Sequence, residues 1–121
     1  MALADELNEI LNEIRSALPE VTGAIVATSD GLSIAHSLSG GDPTRVAAMV
    51  ATALGLGKRI CDTLGGGQFS EASVVGTGTQ IFVYAAGTKG VLSLMARPGG
   101  NVGLIHLIAR DAAQKIATLL Q

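Results

Sequence analysis

The residues in this sequence that could do chemistry fall in a few short segments. Gly55-Leu56-Gly57-Lys58-Arg59 looks like a phosphate-binding loop, in which glycines open backbone N–H groups to phosphate and a lysine meets its charge. Thr52 stands where the first glycine is needed, however, and Arg59 where Ser or Thr would hold magnesium. Gly99-Gly100-Asn101-Val102-Gly103 opens a helix after a strand, as an anion site would, but lacks the dinucleotide spacing and reads as a turn and cap. The histidines, His36 and His106, have no Cys or carboxylate at metal-ligand spacing. Cys61 reads as a small core residue, and no serine lies in a Gly-x-Ser-x-Gly elbow. The expectation is a binding protein rather than an enzyme, with no cofactor and no metal.

Composition narrows the partners. The chain has 121 residues, the size of one domain, so residues 1–121 are expected to close a single core. Hydrophobic residues make up 48% and charged residues 15%, too apolar for disorder and under-charged for a monomer's surface, so some apolar surface should meet a partner. A net charge of −2, with two Phe, one Tyr and no Trp, offers neither a basic stripe nor a stacking platform for nucleic acid. The acids Asp5, Glu6, Glu9 and Glu13 stand where a secretory signal needs a basic start, and no apolar run reaches the ~18 residues of a membrane span. A cytoplasmic location is expected.

The elements that must position these residues are punctuated clearly. Leu3, Leu7, Ile10, Leu11, Ile14 and Leu18 recur at helical spacing up to Pro19. An apolar run over 23–28 meets Ser29-Asp30-Gly31, and the strand after it completes a hairpin. Asp42 as N-cap and Pro43 in the first turn start a long second helix that Gly65-Gly66-Gly67 ends. Three β-prone runs follow, over 69–75, 80–85 and 90–96, and Asn101 caps a last helix. The order is helix, two strands, helix, three strands, helix, and its short turns make an antiparallel α+β fold.

Helix two is the most informative element. Val46, Val50, Ala53, Leu54, Gly57, Ile60, Cys61 and Leu64 share a stripe expected to be its seat on the sheet. The opposite face carries Ala48, Ala51, Thr52 and Gly55, small residues that admit a close second helix, and Gly55 and Gly57 each cost about 1 kcal/mol of helix propensity. An Ala-rich exposed face is also simply a good helix former; Gly55 with Met49 and Leu56 on its border favours a dimer contact. The strand over 69–75 follows directly, alternating Phe69, Glu71, Ser73 and Val75 against Ser70, Ala72 and Val74. At a sheet edge it would pair with the same strand of another copy.

Two segments resemble the roadblock family, named for dynein light chains and including bacterial MglB-like proteins. Pro19-Glu20-Val21-Thr22-Gly23-Ala24-Ile25-Val26 runs into Asp30-Gly31-Leu32-Ser33-Ile34-Ala35. Arg97-Pro98 followed by Asn101-Val102-Gly103-Leu104 is similar to the family's Pro-x-x-Asn-x-Gly segment. The resemblance implies a three-layer α/β/α, profilin-like domain: a five-stranded antiparallel sheet with helix two on one face and the terminal helices on the other. It also implies a homodimer made by third strands and second helices, here Phe69, Glu71, Ser73 and Val75 with Ala48, Ala51, Thr52 and Gly55. The partner it implies is a Ras-like small GTPase, whose hydrolysis such dimers can accelerate without being GTPases themselves. Arg45, Met49, Lys58, Arg59 and Asp62 are the expected GTPase-binding residues. An adaptor dimer indifferent to nucleotide, or a small-molecule sensor with a pocket between sheet and helix, are the other readings open at this point.

Overall fold

The computed structural model describes residues 2–121, which form three helices and five strands. Helix α1 spans Leu3–Ala17 and leads into strands β1 (Val21–Thr28) and β2 (Ser33–Ser37). Helix α2 (Pro43–Leu64) precedes β3 (Glu71–Val75), β4 (Gln80–Ala86) and β5 (Gly90–Ala96), and α3 (Val102–Leu119) closes the fold. The sheet is antiparallel throughout, ordered β2-β1-β5-β4-β3, so β2 and β3 are its outer strands.

Local chemistry accounts for the boundaries. The Asp42 side chain accepts the Thr44 N–H at 3.0 Å with Pro43 behind it, and Asn101 accepts the Leu104 N–H at 3.1 Å. α2 ends where Gly65 takes a φ of 67°, a left-handed conformation that needs no Cβ to be accommodated. The β1–β2 turn closes at Gly31, whose φ is 100°.

Two hydrophobic layers sandwich the sheet. On one face Leu7, Leu11 and Ile14 of α1 and Ile105, Ala109 and Ile116 of α3 pack on Val26, Tyr84, Leu92 and Leu94. On the other, α2 rests alone through Ala47, Val50 and Leu54 on Ile25, Ala27, Val83 and Val91. The three-layer α/β/α architecture is the one expected, with the terminal helices together and α2 opposite them.

The seat of α2 departs from the expected stripe. Its buried residues are Ala47, Val50, Ala51, Leu54 and Gly57, whereas Ile60 is 50% exposed and Leu64 78%. The seat turns toward Ala51 because the Gly31 turn lies against that flank: a Cβ on Gly31 would sit 3.8 Å from Ala51 Cβ. Beyond Gly57 no residue of the helix joins the hydrophobic layer, and Ile60 and Leu64 are left exposed.

Candidate functional site

The exposed face of α2 carries Arg45, Ala48, Met49, Thr52, Gly55, Leu56, Arg59 and Ile60. Met49, Leu56 and Ile60 are 57%, 56% and 50% exposed and form one stripe, since seven and eleven residues are close to two and three helical turns. Gly55 has open space around it, with no atom within 4 Å of an added Cβ. The Thr52 hydroxyl is turned back on the Ala48 carbonyl at 2.8 Å. Ala51, expected on this face, is 9% exposed and faces inward. The small residues of the exposed face are therefore Ala48, Thr52 and Gly55, bordered by an apolar stripe, of which sequence spacing placed Ile60 on the wrong side.

Beside this face lies the outer edge of β3. The strand begins at Glu71 rather than Phe69: the Ala85 N–H meets the Ser70 carbonyl at 3.3 Å, and Phe69 then turns its ring onto Gly57, where a Cβ would enter the ring. Directly opposed strand residues share a face. Ala72 opposes Val83 and Val74 opposes Ile81, which puts them on the α2 side, whereas Glu71, Ser73 and Val75 oppose Tyr84, Phe82 and Gln80 on the α3 side. Val74 and Val75 are 56% and 67% exposed, one on each face of the edge. Val74 thus joins the α2 side of the apolar surface, and Phe69 is a packing residue beneath α2.

The five expected GTPase-contacting residues divide between two flanks. Arg45, Met49 and Arg59 lie on the exposed face, but Lys58 and Asp62 turn toward the β4–β5 turn. There they line a cleft of about 480 Å³ with Gln68, Phe69, Ala85, Gly87 and Thr88.

A polar cluster on the α3 side was not legible in the sequence. Glu71 Oε1 accepts Arg110 Nε at 2.7 Å, together with Arg110 Nη2, and His106 Nδ1 lies 3.9 Å away. The same His106 nitrogen is 2.8 Å from the Tyr84 hydroxyl, and its ring meets Phe82 and Tyr84 edge-on. Burial pushes the Glu71 carboxyl up, but hydrogen bonds from Ser70 and Arg110 and the Arg110 and His106 charges outweigh it, so its pKa falls below the usual value. Burial, followed by the Glu71 charge, pushes the Tyr84 phenol well above its ordinary range. His106 and Arg110 are four apart on one helix, a spacing visible in the sequence; Glu71 and Tyr84 arrive through the β3–β4 register. Glu71 therefore faces α3, whatever meets the edge of its strand.

A family model for the Roadblock/LC7 domain matches residues 7–96. A solved structure described as MglB with tetrameric arrangement is 21% identical, covering 98% of this chain and 90% of that one at a TM-score of 0.88. The gliding protein MglB from Thermus thermophilus is 20% identical over 98% of this chain and 91% of its own, TM-score 0.87. A Roadblock/LC7 domain from Streptomyces avermitilis is 20% identical over 93% of this chain and 95% of its own, TM-score 0.86. Sequence comparison with curated proteins finds no match. Among the described residues no helix is long and apolar enough to cross a membrane.

Proposed function

Because the chain belongs to the Roadblock/LC7 family, we propose that two copies pair through β3 and the exposed face of α2, and that the pair binds and regulates a Ras-like small GTPase. The observation that carries this reading is the outer edge of β3 beside the exposed side chains Leu56, Ile60 and Val74. Strand pairing satisfies the open backbone groups of the edge, and the second copy covers apolar surface that a monomer leaves in water. The likeness to a structure described as MglB with tetrameric arrangement supports self-association of this fold.

In this reading Ala48, Thr52 and Gly55 allow the two helices to approach, and Ser73 and Val75 lie along the paired strands. Arg45, Met49 and Arg59 engage the GTPase from α2, with charge steering the encounter and Met49 supplying an adaptable apolar contact. Lys58 and Asp62 extend that surface around the flank of the helix. The chain regulates nucleotide hydrolysis in its partner and does not itself hydrolyse it.

Sedimentation equilibrium, then pull-down and GTP-hydrolysis assays with small GTPases encoded beside this chain, test the proposal. The expected result is a dimer that binds one such GTPase with a preference for one nucleotide state. Failure to bind any of them in either state rejects the GTPase assignment, and nucleotide-independent capture of a different protein establishes the adaptor reading instead.

A further inference from the structure

Among the described residues β3 is hydrogen-bonded to one strand only, β4, and residues 73–75 are exposed. A short strand held along one side frays unless something else fixes it. Glu71, its first residue, has such an attachment. Its carboxylate takes Nε and Nη2 of Arg110 from α3, and His106 approaches to 3.9 Å while bonding Tyr84, the residue opposite Glu71 on β4. Three elements, β3, β4 and α3, are thus tied at one point at the start of the edge strand. The Glu71 side chain is 18% exposed, so the pair is well shielded on the carboxylate side, while Arg110 keeps 58% of its side chain in water.

The geometry points to Arg110 as a positioning residue for self-association: acting through Glu71, it holds the start of β3 in the sheet and so presents the strand's free edge to a second copy. This rests on the pairing proposed above. The side chains involved lie on the α3 face and need not touch the second copy at all. Their effect is to keep the edge ordered before the encounter, so that less ordering remains to be done on binding.

Sedimentation equilibrium on the full chain, and amide hydrogen exchange on the same chain diluted until it is monomeric, test this together. Arg110→Ala is expected to weaken the dimer about tenfold, the loss of roughly one charge-assisted hydrogen-bonded pair. It should speed exchange of the β3 amides while β1 and β5 keep wild-type protection. Glu71→Ala should give the same pattern, and the double variant should lose no more than either single one, because the two residues act as a unit. Wild-type affinity and β3 exchange in Arg110→Ala overturn the inference, as does additive loss in the double variant. A weakened dimer with unaltered β3 exchange also overturns it, by placing Arg110 at the contact itself. If the wild-type chain sediments as a monomer, the pairing falls and the inference about self-association falls with it; β3 exchange in Arg110→Ala then shows separately whether the brace exists.

Discussion

Glu71 shows how a residue's surroundings redirect its chemistry. On an exposed edge strand a carboxylate would protect against unwanted pairing; here it turns to α3 and accepts Arg110. Burial raises its pKa, but the Ser70 and Arg110 hydrogen bonds and the neighbouring positive charges bring it below the ordinary 4.5. A carboxyl whose folded pKa is depressed stabilises the fold above its unfolded value, and the contribution is lost as pH falls through the folded one. Glu71→Gln should therefore be less stable than wild type near neutral pH, with the difference closing as the solution is made more acid than 4.5. Urea midpoints for both proteins across that range measure it, and a difference independent of pH contradicts the assignment.

At the scale of the element, α2 contains two glycines with opposite meanings. Gly55 faces open space, so Gly55→Ala should stabilise the isolated fold by up to about 1 kcal/mol, the usual difference in helix propensity. At Gly57 the same substitution drives a methyl into the Phe69 ring, and overpacking of about 1–3 kcal/mol should exceed the propensity gain. Thermal melts of the two variants, moving in opposite directions, check this; two rising melting temperatures would mean that Phe69 moves aside freely. The contrast also marks what was legible in advance. Asp42, Pro43, Gly65, Asn101 and Gly31 act through neighbours a few residues away, which is why element order and nearly every boundary could be read from the sequence. The face of α2 depends on a turn contributed by Gly31, distant in the chain, and the periodicity of the helix alone put Ala51 outside and Ile60 inside. The Glu71, Tyr84, His106 and Arg110 cluster draws on three elements, so no local pattern announced it.

For the whole molecule, the decisive variants are those that separate association from folding. Gly55→Glu places bulk and charge on the exposed face without meeting the chain's own atoms, and it should leave the melting temperature near wild type while giving a monomer in sedimentation. Ala51→Arg should behave differently, because Ala51 is 9% exposed beneath the Gly31 turn: a buried arginine there should destabilise the fold itself, by about 3 kcal/mol or more. An unchanged dimer in Gly55→Glu would move the interface off α2.

The two ends of the sheet are built to different standards. At one end the β1–β2 and β4–β5 turns are joined by Ser29, whose N–H reaches the Lys89 carbonyl at 2.9 Å and whose hydroxyl reaches that of Thr88 at 3.2 Å. Each turn also carries a positive-φ glycine pressed on a helix alanine, Gly31 against α2 and Gly87 against Ala117 of α3. At the other end, the β3–β4 turn at Gly76-Thr77-Gly78 is exposed, and Gly78 has nothing within 4 Å of an added Cβ. For protein engineering this makes Thr77 the natural point for inserting an epitope or fluorescent label, whereas inserted sequence at Gly87 would pry the sheet from both helical layers at once.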